Sequence, residues 1–106
     1  MKQEINEFHN LDANGNPAGG ETSGVGISIQ WQNGPLGRDG ERLQPNGAFV
    51  EGVIQAAIGR MKYYQSSKFN CRENAMALTK LEEALHWLNA RTSDREARRD
   101  EGTHAA

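Results

Sequence analysis

From Val25 to Gln32 apolar and polar residues alternate, with Val25, Ile27, Ile29 and Trp31 on one side and Gly26, Ser28, Gln30 and Gln32 on the other. A period of two predicts a half-buried strand. Asn33-Gly34-Pro35 ends it, and Gly37 to Gly40 offers a second turn, after which a short strand near Glu41–Leu43 would close a β-hairpin. A lone hairpin does not make an independent sheet, so it must pack on helices or on another subunit. Past Pro45 the period changes. Phe49, Val50, Val53, Ile54, Ala57, Ile58 and Met61 recur at helical steps, predicting a helix over about 47–66 with Asn46 as its N-cap. Asn70-Cys71-Arg72-Glu73 reads as a capping box opening a second helix over about 71–91. Leu78, Leu81, Leu85 and Leu88 step along it as a seam, beside the small residues Ala77 and Ala84. Two helices joined by a short turn form an antiparallel hairpin. Ser93-Asp94-Arg95-Glu96 reads as a further capping box and predicts a short third helix over about 94–100. The fold class expected is α+β, mostly helical: an antiparallel helical hairpin with a short N-terminal β-hairpin.

Before the strand the pattern fades. Between Asn10 and Gly26 the chain is rich in glycine and asparagine, and Leu11 and Val25 are its only sizeable apolar side chains. Such a stretch buries too little surface to offset its ordering entropy. Residues 1–25 therefore read as a flexible arm, or one ordered by a partner, and 26–106 as the strand and helical-hairpin domain. The hydrophobic share of 36% agrees with a partly unpacked chain. A domain of about 80 residues is marginal alone. Cys71 is the only cysteine, so no intrachain disulfide reinforces it. Oligomerisation is the expected remedy. No apolar run approaches the roughly 20 residues that span a bilayer, and no apolar leader opens the sequence; a soluble, cytoplasmic protein without a membrane partner is expected.

The formal net charge of −2 argues against binding polymeric nucleic acid, but its distribution is uneven. Residues 1–59 hold three basic and seven acidic groups, whereas residues 60–99 hold nine basic and five acidic. The helical half thus has room for a local anion site. Enzyme chemistry finds little support. Glu82 and Glu83 are consecutive and diverge on a helix, and His9, His86 and His104 lack metal-ligand spacing. Cys71 falls at a helix start, where a thiolate is favoured, yet no base accompanies it. No catalytic residue, metal or cofactor is expected.

Arg91, Arg95 and Arg98 or Arg99 recur at helical steps. Guanidinium forks on one side grip phosphate oxygens, each charge-assisted bond contributing about 1.5–3 kcal/mol. The same arginines can instead pair with Asp94, Glu96, Asp100 and Glu101 on a solvated face. Tyr63, Tyr64 and Phe69 surround the hairpin turn and Asn74 lies one turn into the second helix. An aromatic face stacks on a base and an amide reads a base edge; the aromatics can equally plug the end of the hairpin. Stacker, amide and arginines together would make a nucleotide site. They sit at opposite ends of a hairpin whose helices, at about 20 residues each, are about 30 Å long, so a neighbouring subunit would have to complete it.

Three segments resemble one known family. They are Gln32-Asn33-Gly34-Pro35-Leu36; the hairpin stretch from Tyr64 to Leu88, including Phe69, Cys71-Arg72-Glu73-Asn74-Ala75 and Leu78-Thr79-Lys80-Leu81-Glu82-Glu83-Ala84-Leu85; and Arg91 through His104. In this combination and order they are similar to the hairpin-domain sponges of phages, which comprise Thoeris anti-defence and anti-CBASS proteins, with the Thoeris branch the nearer. The resemblance implies non-catalytic homo-oligomers, dimers or hexamers, that act in the host bacterial cytoplasm. They hold cyclic nucleotide signals (glycocyclic ADP-ribose made by TIR enzymes, and in some members cyclic di- and trinucleotides) between subunits. Carried over, Tyr64 is the base-stacking aromatic, Asn74 the base-contacting amide, Arg91 and Arg95 the phosphate-gripping arginines, and Arg38 a candidate at a second, trinucleotide site. One departure falls at Arg99-Asp100-Glu101-Gly102, where relatives often read Gly-Val-Glu-Gly.

Overall fold

A computed structural model describes residues 3–34 and 44–105. The chain divides into two units, Met1–Phe49 and Val50–Ala106.

In the first unit β1 (Asn6–Leu11), β2 (Pro17–Gly24) and β3 (Ile27–Trp31) form an antiparallel sheet in the order β1-β2-β3. The expected strand is therefore present, but as the third of three, and the arm expected over residues 1–25 is corrected to two strands of sheet. Apolar burial was the wrong criterion for this segment, because its order comes from backbone pairing and turn chemistry. Between β1 and β2 the Asp12 carboxylate accepts the amides of Asn14 at 2.8 Å and Asn16 at 3.0 Å, an Asx turn that needs no apolar side chain. Gly20 adopts φ +144°, and a Cβ there would overlap the carbonyl oxygen of Phe8; only glycine lets β1 come so near. Thr22 is buried and its hydroxyl accepts the indole N–H of Trp31 at 2.7 Å. On β3 the predicted alternation holds, with Ile27, Ile29 and Trp31 half-buried and Ser28 and Gln30 exposed. Val25 instead lies 88% exposed in the two-residue loop joining β2 to β3.

Asn46 does not cap a helix. Its side chain accepts the amide of Asn33 at 2.7 Å and donates to the Asn33 carbonyl at 2.9 Å. The Gln32 side chain in turn accepts the amides of Asn46 and Gly47. This clasp brings Ala48 beside Trp31 in a parallel bridge, so the helix begins only at Val50. The strand expected near Glu41–Leu43 lies outside the described residues.

The second unit is a helical hairpin of α1 (Val50–Gln65) and α2 (Arg72–Ala105). The expected third helix is absorbed into α2, which runs 34 residues. No Gly or Pro lies between Cys71 and Glu101 to stop it, and the Thr92 hydroxyl bonds back to the Leu88 carbonyl at 3.2 Å as helix-interior threonines do. The capping position is Cys71 rather than Asn70. Its carbonyl accepts the amide of Ala75 and its sulfur that of Asn74 at 3.4 Å, while the Asn70 amide turns back to Ser67. The leucine seam is half-buried throughout, and Ile54, Ile58 and Met61 line the corresponding stripe of α1. Ile58, 2% exposed, is the one fully buried apolar residue among those described. The α+β class and the helical hairpin are as expected; the β-hairpin is a three-stranded sheet.

Candidate functional site

At the turn of the hairpin, Gln65 bonds both backbone groups of Cys71, accepting its N–H at 3.1 Å and donating to its carbonyl at 3.2 Å. Ser66 and Ser67 donate their hydroxyls to the carbonyls of Tyr63 and Tyr64, closing the last turn of α1. The ends of both helices are thereby fixed, and with them the side chains that flank the turn. Tyr64 is half-buried and Asn74, near the start of α2, is half-buried as well. The guanidinium of Arg60 lies 4.8 Å from the ring centre of Tyr64 and 4.9 Å from that of Tyr63. A cation at that distance is attracted to the ring face. Arg60 was not among the residues expected here, although its spacing of three and four from the tyrosines is the helical spacing that brings side chains together. Lys68, 5.5 Å from the Phe69 ring centre, adds a further positive charge. This end of the hairpin offers an aromatic face, an amide and cations, a set suited to an anionic base-bearing ligand.

Arg91 lies at the other end. Its Nη2 is 3.3 Å from Oε1 of Glu51, in the first turn of α1, and the Thr92 hydroxyl is 3.5 Å from the second carboxylate oxygen. Glu51 was not legible beforehand, because it meets Arg91 only through the register of the hairpin. Arg91 remains 46% exposed, so its guanidinium is open to solvent beside Glu51. Arg95, one turn further, is exposed. Arg38 lies outside the described residues. Tyr64 stands thirteen residues along α1 from Glu51, about 20 Å at the helical rise. One chain therefore brings Tyr64 and Asn74 to the turn and Arg91 and Arg95 to the far end, and does not bring the two pairs together. Among the described residues no group of three or more His, Cys, Asp or Glu could hold a metal ion, and no helix is long and apolar enough to cross a membrane.

Residues 24–93, which include β3, all of α1 and most of α2, match the family described as Acb2/Tad1, hairpin domain. The chain belongs to this family. Of the five expected site residues, Arg38, Tyr64, Asn74 and Arg91 fall inside the matched stretch, and Arg95 lies just beyond it. Over 77 residues, 73% of its length, the chain is 53% identical to Thoeris anti-defense 1 of Bacillus phage SBSphiJ7. The match covers 51% of that relative, so the chain spans about half the length of the curated relative it matches. β1 and almost all of β2 precede the residues that match the Acb2/Tad1 hairpin domain.

Proposed function

We propose that this chain is a phage anti-defence protein that binds cyclic nucleotide signals and withholds them, uncleaved, from the receptors of Thoeris or CBASS immunity in the host cytoplasm. Membership of the Acb2/Tad1 hairpin-domain family carries the reading, and the named activity of the phage relative directs it to Thoeris. Glycocyclic ADP-ribose is the first ligand expected, with cyclic di- and trinucleotides as further ones.

In this reading Tyr64 stacks on a base, contributing about 1–3 kcal/mol, while Asn74 reads the base edge and Arg91 and Arg95 hold phosphate oxygens. The separation of these pairs within one chain favours a site completed by a second copy. The packing agrees: a chain with one fully buried apolar residue among those described gains stability by covering its remaining apolar surface on a partner. Arg38 is reserved for a separate trinucleotide site.

The test is calorimetric titration of the purified chain with glycocyclic ADP-ribose, cyclic dinucleotides and cyclic trinucleotides, followed by denaturation and chromatography of the released ligand. Tight binding with intact ligand recovered is expected. Absence of heat with every compound would refute the reading and leave a helical adaptor docking a host protein through its leucine seam; recovery of a cleaved ligand would make the protein an enzyme.

A further inference from the structure

We propose that the outer edge of β1 is an association surface for a second copy of this chain, the two strands pairing antiparallel about a two-fold axis at Phe8. The proposal does not depend on the ligand.

Three observations point there. All six residues of β1 are exposed, and among the described residues nothing pairs with its outer edge. The Phe8 carbonyl lies against Gly20 of β2. Backbone groups alternate along a strand, so those of Glu7 and His9 face the open edge. An unpaired row of this kind is a template for another strand. Second, Phe8 is out of place. It shares a face with Glu21 and Gln30, its neighbours in register on β2 and β3, and both are exposed polar residues. Phe8 is 67% exposed there, a large apolar group that the described residues leave largely uncovered.

Third, the strand is chemically complementary to its own reverse. With Phe8 on the two-fold axis, Phe8 faces the partner's Phe8, Glu7 faces the partner's His9, and Asn6 faces the partner's Asn10. On one face the aromatics cover each other, and on the other each carboxylate meets an imidazole across the strands. Those are the pairings that favour an antiparallel ladder. Shifting the register by one residue would place Glu7 against Phe8 and lose both. The phenylalanines would form a non-hydrogen-bonded pair, with Cα atoms about 4.5 Å apart, flanked by ladder bonds at Glu7 and His9. The opposite edge of the sheet is met by Ala48 at Trp31, and the register of β1 breaks between His9 and Leu11, which bounds the paired stretch.

Cysteine crosslinking of the full chain in a Cys71→Ser background tests the register directly. In that background Phe8→Cys puts two thiols within disulfide reach. Mild oxidation is expected to give a covalent dimer on a denaturing gel, whereas Glu7→Cys and His9→Cys singly give at least fivefold less. Adding His9→Glu to the Phe8→Cys protein sets acid against acid and is expected to cut the dimer severalfold; the further change Glu7→His restores it by exchanging the pair. No dimer from Phe8→Cys in a chain with an unchanged circular dichroism spectrum would overturn the proposal. Equal yields at all three positions, or no recovery on the charge exchange, would do the same by showing random collision.

Discussion

Arg91 on α2 is held by Glu51 on α1, its Nη2 3.3 Å from the carboxylate Oε1. The contact spans 40 positions of sequence and follows from the register of the two helices, while leaving 46% of the arginine side chain open. A guanidinium has five N–H donors, so one carboxylate does not exhaust it. The pair is exposed enough that its worth to folding is about 0.2–1 kcal/mol. Arg91→Ala and Glu51→Ala are each expected to lower unfolding stability by no more than about 1 kcal/mol. Arg91→Ala is expected to weaken cyclic nucleotide binding at least tenfold, about 1.4 kcal/mol. Urea midpoints and calorimetry separate the two effects. A loss of several kcal/mol in either variant would make the pair a structural clamp instead.

Tyr64 divides the same way. Tyr64→Phe keeps the aromatic face and is expected to bind within about threefold of the natural chain. Tyr64→Ala removes a stack of about 1–3 kcal/mol and is expected to weaken binding roughly 5- to 150-fold. Calorimetry on both variants reads the difference, and equal affinities for Ala and Phe would remove Tyr64 from the site.

Arg60, packed over the Tyr63 and Tyr64 rings, holds one face of the stacker. An exposed cation–π contact contributes about 0.5–1 kcal/mol. Arg60→Ala is therefore expected to cost a two- to fivefold loss of affinity with little change in unfolding midpoint. An unchanged affinity in the titration would make the contact incidental.

The helical half was legible in the sequence because its signal is local. The leucines of the seam from Leu78 to Leu88 are half-buried as their spacing requires, and of the α1 stripe Val53, Ile54, Ile58 and Met61 are half-buried or buried, whereas Phe49, Val50 and Ala57 are exposed. Capping was less legible, since it depends on which side chain is already committed elsewhere. Asn46 looks like an N-cap until Asn33 claims its amide, and Asn70 loses its place to Cys71 because it bonds Ser67. The break expected at Ser93 failed for the converse reason: a capping sequence does not end a helix that nothing else interrupts. β1 and β2 were missed because glycine, asparagine and threonine there serve backbone pairing and a turn, for which hydrophobic periodicity has no signal. For the candidate site, the places of Tyr64, Asn74 and Arg91 along the hairpin were legible; the contact of Glu51 with Arg91 was not, because only the fold brings the two together.

Ile58 is the one fully buried apolar side chain of the hairpin among the described residues. Truncating a buried isoleucine removes its transfer free energy and leaves a cavity, at a cost of about 2–5 kcal/mol. In a hairpin with so little buried core that is a large fraction of the total. Ile58→Ala is expected to lower the thermal midpoint by ten degrees or more and to broaden the helical transition followed by circular dichroism. Ile58→Val, at about 0.5–1.5 kcal/mol, is expected to fall between. A midpoint within two degrees of the natural chain for Ile58→Ala would mean that the hairpin is held together elsewhere.

At Gly20 the backbone of β1 lies against β2 with no room for a side chain. The glycine's φ of +144° is a conformation that L side chains rarely adopt, and the Cβ of an alanine would overlap the Phe8 carbonyl oxygen, a backbone atom that no rotamer change can move. Gly15 also has positive φ, at +81°, but a Cβ there meets nothing within 4 Å. The two glycines thus separate conformational strain from steric collision. Gly15→Ala bears only the strain of a left-handed turn residue, about 1–2 kcal/mol, whereas Gly20→Ala must also push β1 off the sheet. Amide hydrogen exchange is expected to show lost protection across Asn6–Leu11 in Gly20→Ala, with α1 and α2 protected as before, and only a modest loss near the turn in Gly15→Ala. Equal protection of β1 in the two variants would show that the ladder tolerates a side chain at Gly20, and that the order of β1 comes from contacts other than its close approach to β2.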